Sequence, residues 1–285
     1  MRIVRLPDGT EVPALGQGTW HMGEQRAAEA AEIAALQRGL DGGMTLIDTA
    51  EMYADGGAER VVGKAITGRR DAVFLVSKVY PHNASRAGVV AAAERSLKRL
   101  GTDRIDLYLL HWPGQHGLAD TIAGFLDLIR AGKIHRWGVS NFDTKGMAAV
   151  QAAARAADTV CTTDQVLYHP DSRGIEFDLL PACRRAGMPV MAYSPLGQAG
   201  RLLRSAALAA VARRHEAGGQ AASPAQIALA FALRHPQLIA IPKAVTPAHV
   251  RANAAAASIV LTAEDMATID AAHPPPGRAE PLEML

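Results

Sequence analysis

The chain has 285 residues, of which 49% are hydrophobic and 20% are charged, and this composition is typical of a globular protein with a large core. Its formal net charge of +2 is too balanced to indicate a surface for nucleic acid. No apolar run is long enough to span a bilayer, so we expect no membrane partner. The first residues lack the apolar stretch of a secretory signal, so we expect a cytoplasmic protein. A monomer is the default expectation, since no surface helix is singled out as a dimer contact.

A hairpin is predicted first, followed by eight strands. The Asp8-Gly9 turn signal predicts an opening hairpin within residues 1–13, placed to close the bottom of a barrel. Most of the eight apolar runs that follow are continuous rather than alternating, which is typical of strands buried on both faces. These runs are 14–18, 45–48, 73–78, 105–111, 134–140, 162–167, 189–193 and 238–242.

Helical segments fill the gaps between the strands. They are predicted at 24–40, 85–100, 118–131, 143–156, 176–186, 224–235 and 247–257. Ser223-Pro224 and Thr246-Pro247 are typical of a helix cap followed by proline in the first turn. Repeated strand–helix units without a break in composition predict one α/β domain over residues 1–285, a (β/α)8 TIM barrel with a C-terminal tail at 272–285.

Four polar residues follow the ends of three successive predicted strands. Asp48 and Tyr53 follow the second strand, Lys78 ends the third and His111 ends the fourth. In a parallel barrel these strand ends open onto one face, so the four side chains can meet there. A lysine near a tyrosine favours the phenolate and lowers the pKa of the phenol, and an aspartate can hold the lysine in place. The group therefore suits a proton donor acting on a carbonyl, with His111 orienting the oxygen.

Each of these residues also has an ordinary explanation when it is taken alone. Asp48 can cap a turn, Lys78 can lie in solvent and His111 can be a core histidine. Their occurrence together at successive strand ends favours the functional interpretation. No side chain supplies a hydride, so a reductive reaction would need a cofactor.

The common nucleotide and metal motifs are absent. Residues 16–21 fail the dinucleotide fingerprint at its last glycine, and the Gly63-Lys64 pair lacks the rest of a Walker motif. Neither a zinc-protease motif nor a His-x-His pair occurs, and Cys161 and Cys183 lack metal spacing. We therefore expect no metal site and free thiols, and any nucleotide site must be of another design.

The motifs of this chain, taken in order, resemble those of the aldo-keto reductases. The resemblance rests on Gly16-Gln17-Gly18-Thr19-Trp20, Asp48-Thr49-Ala50-Glu51-Met52-Tyr53, Val76-Ser77-Lys78, Leu110-His111-Trp112-Pro113, Gly138-Val139-Ser140-Asn141-Phe142, Ala192-Tyr193-Ser194-Pro195-Leu196 and Ile241-Pro242-Lys243. It extends to about residue 270 and is strongest to the bacterial branch that reduces small aldehydes such as methylglyoxal. The resemblance implies reduction of aldehydes or ketones to alcohols by a barrel that binds NADPH in extended form.

The resemblance also implies a role for individual residues. Tyr53, Asp48, Lys78 and His111 match the catalytic tetrad, with Tyr53 as proton donor. The matches to cofactor-binding positions are Ser140, Asn141, Gln165, Tyr193, Ser194, Leu196, Lys243, His249 and Asn253. Trp20, Tyr80 and Trp112 match the aromatic wall of the substrate pocket. Ser140-Asn141 can equally cap a helix, and an aromatic residue such as Tyr193 is otherwise more often part of a core.

The departures from the family pattern lie mainly at the adenosine end. His249 replaces the arginine that binds the 2′-phosphate, Ala244 replaces a serine and Ala252 replaces a glutamate, while Asp164 replaces an asparagine before Gln165. Arginine binds a phosphate through two hydrogen bonds with a fixed charge, and histidine does not. We therefore expect NADPH, held by Lys243, with a weaker preference over NADH than is usual. The short loop after His111 predicts an open, permissive pocket.

Two other functions are compatible with these residues. Potassium-channel β-subunits share the fold and bind NADPH, so a regulatory or redox-sensing protein is one alternative. A dehydrogenase that uses NAD and runs toward oxidation is the other. Turnover of small aldehydes would separate an enzyme from a sensor, and the ratio of cofactor affinities would separate the two enzymes.

Overall fold

The computed structural model describes residues 1–285, which form twelve strands and ten α-helices. The strands are β1 (Ile3–Arg5), β2 (Glu11–Pro13), β3 (Gln17–Gly18), β4 (Leu46–Asp48), β5 (Phe74–Val79), β6 (Ile105–Leu110), β7 (Ile134–Ser140), β8 (Asp164–Leu167), β9 (Val190–Tyr193), β10 (Glu216–Ala217), β11 (Gln220–Ala221) and β12 (Leu238–Ala240). The helices are α1 (Glu29–Asp41), α2 (Gly57–Ala65), α3 (Arg86–Leu100), α4 (Leu118–Arg130), α5 (Thr144–Ala156), α6 (Leu179–Arg185), α7 (Ala206–Ala212), α8 (Pro224–Leu233), α9 (Pro247–Ala256) and α10 (Ala263–Ala272).

Eight parallel strands form one barrel. Their order in the sheet is β12, β9, β8, β7, β6, β5, β4 and β3. The barrel closes where Leu15 bridges Ala240, and there the Gly16 amide donates to the Ala240 carbonyl at 2.8 Å. Gly18 is required beside this seam, since a Cβ there would lie 2.6 Å from the Ile241 carbonyl oxygen. All eight predicted strands are present, so the predicted (β/α)8 barrel is confirmed.

The antiparallel hairpin β1–β2 covers the N-terminal end of the barrel. Val4 lies opposite Val12, and both are buried with the side chains that fill the barrel interior. Arg136, near the start of β7, donates to Asp8 at 2.5 Å and to the Thr10 hydroxyl at 2.5 Å. This end is therefore closed as predicted, and the other end, where the strands finish, is the one available for a site.

The helices begin where the sequence places their caps. The side chains of Ser223 and Thr246 each accept a hydrogen bond from the backbone amide three residues further on, and a proline follows each of them. All seven predicted helices are present, although α1 begins at Glu29 rather than at residue 24. Helices α2, α7 and α10 are additional to the prediction. They have ten residues or fewer, too short for a clear helical repeat.

The larger part of the hydrophobic core lies between the sheet and the surrounding helices. Phe125 of α4 stacks on Trp137 of β7 with ring centroids 5.7 Å apart, and it meets Tyr108 of β6 edge-on at 5.9 Å. Helix α8 is apolar on nearly all sides and almost completely buried. None of the ten helices combines the length and apolar character needed to cross a membrane.

Candidate active site

Three neighbouring strands bring the predicted tetrad to the open end of the barrel. Asp48 is the last residue of β4, Lys78 lies one residue before the end of β5, and His111 directly follows β6. Tyr53 comes from the turn between β4 and α2. The structure therefore places all four predicted residues in one cluster.

Lys78 is at the centre of this cluster and is fully buried. Its ammonium donates to Asp48 Oδ2 at 2.8 Å, to the Thr49 carbonyl at 2.9 Å and to the Tyr53 hydroxyl at 3.1 Å. These contacts use all three N–H donors of the ammonium. The amine is thus fixed between a carboxylate and a phenol.

Burial and charge have opposite effects on the protonation of this cluster. Burial raises the pKa of Tyr53, and the charge of Lys78 opposes that rise. Burial alone would lower the pKa of Lys78, but Asp48 and then Tyr53 raise it above its usual value. The lowering by the lysine predicted from sequence is present, but the loss of water outweighs it, so the pKa of Tyr53 is raised overall. Tyr53 is therefore a neutral phenol at neutral pH with a proton to donate, and Lys78 is charged.

Asp48 joins the tetrad to the residues predicted to bind the cofactor. Burial raises the pKa of its carboxyl, whereas Lys78 and Gln165 favour the ionised form. Gln165 Nε2 donates to Asp48 Oδ1 at 2.8 Å, and Lys78 binds the other carboxylate oxygen. The Thr19 hydroxyl donates to the Asp48 carbonyl at 2.9 Å and holds the strand end in place.

His111 faces a pocket and has no hydrogen-bond partner for its ring. The residue is 8% exposed, and its Nδ1 atom is buried without a partner. Its ring meets that of Tyr53 edge-on, with centroids 5.8 Å apart. Burial, and then the charge of Lys78, lowers the pKa of His111 to about 2. The imidazole is therefore neutral and able to donate one hydrogen bond to an oxygen placed between it and Tyr53.

The low pKa of His111 predicts a loss of stability in mild acid. An unfolded histidine has a pKa of about 6.5, so below that pH the unfolded chain binds a proton that the folded protein excludes. His111 should then lower the free energy of unfolding by up to about 1.4 kcal/mol for each pH unit below that value. Urea unfolding of the native protein and of a His111→Gln variant, followed from about pH 7 down to about pH 5, measures this term. Equal pH slopes for the two proteins would contradict the prediction.

A cavity of about 590 Å³ at the same end of the barrel contains several of the predicted cofactor positions. It is lined by Asp48, Tyr53, Tyr193, Ser194, Leu196, Lys243 and His249. Gly18 and Thr19 of the first motif, Gln198 and Ala199 of the loop after Leu196, and Thr246 also line it, together with His21 and Val245, which the sequence did not indicate. The cavity thus connects the reacting groups with Lys243 and His249. An elongated ligand with an anionic end fits this arrangement.

The amide groups beside Asp48 suit a nicotinamide carboxamide. Ser140 donates to the Gln165 carbonyl at 2.7 Å, and Asn141 Nδ2 donates to the His111 carbonyl at 3.1 Å. The Tyr193 hydroxyl donates to Asn141 Oδ1 at 2.9 Å. Asn141 has a left-handed φ of 63°, a conformation that persists only where surrounding contacts fix it. These residues, with the adjoining cavity, fit a nicotinamide dinucleotide.

The adenosine end of the cavity has little positive charge. Lys243 is the only lysine or arginine that lines it, beside Ala244 and His249. Arg201 is not one of the lining residues, and its side chain is 86% exposed with its guanidinium 3.7 Å from the Asp171 carboxylate. Asn253, predicted to contact adenine, is buried in α9 and does not line the cavity.

A smaller pocket of about 80 Å³ lies over the tetrad. Its lining residues are Trp20, Met52, Tyr53, His111, Trp112, Ser140, Asn141, Gln165, Tyr193, Met284 and Leu285. Met284 and Leu285, near the C-terminus, form part of its wall. Tyr80, predicted to line it, instead packs edge-on against Trp112 with ring centroids 5.8 Å apart. No local pattern marks Met284 or Leu285, since their role depends on a contact distant in sequence.

Comparison with known proteins agrees with this geometry. The sequence model of the Aldo/keto reductase family matches residues 14–274. The chain is similar to methylglyoxal reductase YeaE of Escherichia coli (strain K12), with 49% identity over 100% of this chain and 99% of that protein. It is also similar to glyoxal reductase of Bacillus subtilis (strain 168), with 33% identity over 94% of this chain and 91% of that protein.

The fold is shared with solved structures that contain the expected cofactor. An aldo-keto reductase from Klebsiella pneumoniae in complex with NADPH superposes with a TM-score of 0.93 and is 49% identical, over 100% of this chain and 99% of that chain. A second structure from the same organism, in complex with NADP and acetate, gives a TM-score of 0.92 at the same identity and coverage.

Proposed function

Because the chain belongs to the aldo/keto reductase family and is an NADPH-dependent oxidoreductase that reduces carbonyl compounds, we propose that its substrates are small 2-oxoaldehydes such as methylglyoxal. The observation that carries this proposal is the pocket of about 80 Å³ between Tyr53, His111 and the aromatic wall. The nicotinamide would lie against Ser140, Asn141, Gln165 and Tyr193 in this pocket, so the space left beside Tyr53 and His111 suits a molecule of a few heavy atoms. The names of the methylglyoxal and glyoxal reductase relatives agree with this class, and they do not favour the regulatory alternative.

The proposed chemistry divides the work between the cofactor and the tetrad. NADPH, held by Ser140, Asn141, Gln165 and Tyr193, supplies a hydride to the carbonyl carbon. His111 donates a hydrogen bond that orients the carbonyl oxygen, and Tyr53 transfers its proton to that oxygen. The ammonium of Lys78, 3.1 Å from the phenol, stabilises the resulting phenolate, and Asp48 keeps that ammonium in place.

Consumption of NADPH with a graded set of aldehydes tests the substrate class. Methylglyoxal and glyoxal should give the highest kcat/KM, and aldehydes with a bulky group beside the carbonyl should give much lower values. The same assay with NADH gives the cofactor preference and addresses the NAD-dependent alternative. A protein that turns over bulky aldehydes well and 2-oxoaldehydes poorly would refute the proposed substrate.

His249 predicts a weakened selectivity for NADPH that one substitution should restore. A His249→Arg variant places a fixed charge in the cavity near Lys243, so the Kd for NADPH should fall roughly tenfold while that for NADH stays unchanged. Fluorescence titration with each cofactor measures both constants. A His135→Arg variant is a matched control, since His135 is at the start of β7, at the opposite end of the barrel. An equal response of NADPH and NADH to His249→Arg would contradict the assignment of the 2′-phosphate site.

We further propose that the protein acts as a cytoplasmic monomer. Cys161 and Cys183 are free and buried, which suits a reducing compartment. The exposed large apolar side chains are not gathered on one helix face; they are Met1, Ile3, Val160, Phe177, Val260, Met284 and Leu285. Sedimentation equilibrium at several protein concentrations would reveal a dimer if the second part of this proposal is wrong.

A further inference from the structure

The C-terminal segment, residues 274–285, runs without regular structure from the end of α10 to the substrate pocket. Glu283 accepts a hydrogen bond from the Ser172 hydroxyl, and Leu282 packs against the hydrophobic core. Met284 and Leu285 then line the pocket beside Tyr53 and His111. The position of this segment therefore helps to set the size of the substrate site.

His273 lies at the start of this segment, and both of its ring nitrogens are bonded. The residue is 9% exposed. Its Nδ1 is 2.6 Å from Asp171 Oδ1, and its Nε2 is 2.8 Å from the Ser205 hydroxyl. In addition, Arg173 donates to the His273 carbonyl at 2.5 Å. Nδ1 donates its hydrogen to the Asp171 carboxylate, and Nε2 accepts a hydrogen bond from the Ser205 hydroxyl. This arrangement fixes both the tautomer and the orientation of the ring.

The partners of His273 belong to segments on either side of the site. Asp171 is next to Ser172, the residue that holds Glu283 of the C-terminal segment. Ser205 directly follows the turns that contain Gln198 and Ala199, which line the larger cavity. His273 therefore joins the C-terminal segment to the start of α7, a few residues after the turn that lines the larger cavity.

Ser205, His273 and Asp171 also have the order of a hydrolase triad, but their surroundings favour a structural link. The Ser205 hydroxyl oxygen accepts a hydrogen bond from the Leu208 amide at 3.4 Å and so caps the N-terminus of α7. The Asp171 side chain is 21% exposed and is 3.7 Å from Arg201, so it is neither secluded nor reserved for His273. The three residues thus connect three segments of the chain.

We propose that His273 is a positioning residue for the carbonyl substrate, because it anchors the C-terminal segment whose last residues, Met284 and Leu285, form one wall of the pocket beside the tetrad. The proposal rests on the reductase function given above. It assigns no proton transfer to His273. Loss of the anchor should loosen the wall of the pocket and leave the reacting groups in place.

Steady-state kinetics of a His273→Ala variant test this inference. The KM for methylglyoxal should rise roughly tenfold while kcat changes by less than about threefold, because the variant loses the wall and keeps the tetrad. The ratio of kcat/KM for a bulky aldehyde, such as 4-nitrobenzaldehyde, to that for methylglyoxal should also rise. His215→Ala is the matched control, since His215 binds Asp265 of the same helix α10 at 2.8 Å but lies outside both pockets.

Two further variants separate positioning from a general loss of structure. His273→Asn keeps an N–H donor close to the position of Nδ1, so it should retain the contact with Asp171 and recover most of the native KM. Leu285→Ala removes part of the wall without touching the anchor, so it should reproduce the shift toward bulky aldehydes. In the double variant Leu285→Ala with His273→Ala, the ratio of kcat/KM for bulky to small aldehydes should be little higher than in either single variant, because both changes open the same wall.

The outcomes distinguish this inference from the substrate proposal. A native enzyme that is inactive on methylglyoxal refutes the substrate proposal, and the inference is then decided with the best small aldehyde found in the screen. The inference is overturned if His273→Ala lowers kcat at unchanged KM, if His215→Ala has the same effect, or if the ratio of bulky to small substrates stays at the native value. It is also overturned if Leu285→Ala leaves that ratio unchanged.

Discussion

A Tyr53→Phe variant is expected to bind NADPH as the native protein does and to lose carbonyl reduction by roughly a thousandfold. The change removes only the hydroxyl that lies 3.1 Å from the Lys78 ammonium. No other acid with a proton at neutral pH is in position, because Lys78 is held by Asp48 and Thr49, and His111 is neutral with a pKa of about 2. The carbonyl oxygen would then have to take its proton from water.

The same variant should remain folded, which makes the loss of activity interpretable. Lys78 keeps its contacts with Asp48 and Thr49, so the free energy of unfolding should change by no more than about 1 kcal/mol. Tyr80→Phe is the matched control, since this tyrosine lines neither pocket and should keep nearly native turnover. Cofactor fluorescence and NADPH consumption measure the two properties separately. Turnover of Tyr53→Phe within about tenfold of the native value would exclude Tyr53 as the principal acid.

The fold was predictable because its signals are local and repeated. Continuous apolar runs marked every strand of the barrel, and the Asp8-Gly9 turn marked the hairpin that closes it. The helices that escaped prediction are short, and the small hairpin β10–β11 has only two residues in each strand. Elements of this length depend on tertiary contacts rather than on a periodic pattern.

The convergence of the candidate site could be predicted from the fold alone for the residues at strand ends. Asp48, Lys78 and His111 are placed by the barrel itself, so their convergence follows from the fold. The effect of Lys78 on the pKa of Tyr53 was predictable, but the larger opposing effect of burial was not, because it depends on how much water the surrounding side chains exclude. The wall formed by Leu285 was not predicted, since the contact joins residues more than half the chain apart.

Asp164 shows how a departure from the family pattern can be accommodated. Its side chain is fully buried. Oδ1 accepts a hydrogen bond from the Phe142 amide at 3.4 Å, and Oδ2 has no hydrogen-bond partner. With no cation in contact, burial raises the pKa of its carboxyl well above the usual value. A carboxyl group has nearly the shape of an asparagine amide. Beside it, Gln165 keeps its hydrogen bonds to Asp48 and from Ser140.

Lys78→Met is expected to lower both stability and turnover, for different reasons. Its methionine side chain leaves the Asp48 carboxylate, which is 2% exposed, without the ammonium 2.8 Å away. Breaking one side of a buried ion pair typically costs about 3 to 5 kcal/mol. Because burial already raises the pKa of Asp48, the variant should regain stability as the pH falls and this carboxyl takes up a proton. Turnover should fall because the phenolate of Tyr53 loses its neighbouring positive charge.

A second substitution separates these two effects. In the double variant Lys78→Met with Asp48→Asn, no buried charge is left unpaired, and the side-chain oxygen of the asparagine can still accept the hydrogen bond from Gln165. Urea unfolding should show that most of the lost stability returns. NADPH consumption should stay as low as in Lys78→Met, because the ammonium beside Tyr53 is still missing. If turnover recovered together with stability, Lys78 would act only by neutralising Asp48, and its proposed action on the phenol of Tyr53 would be wrong.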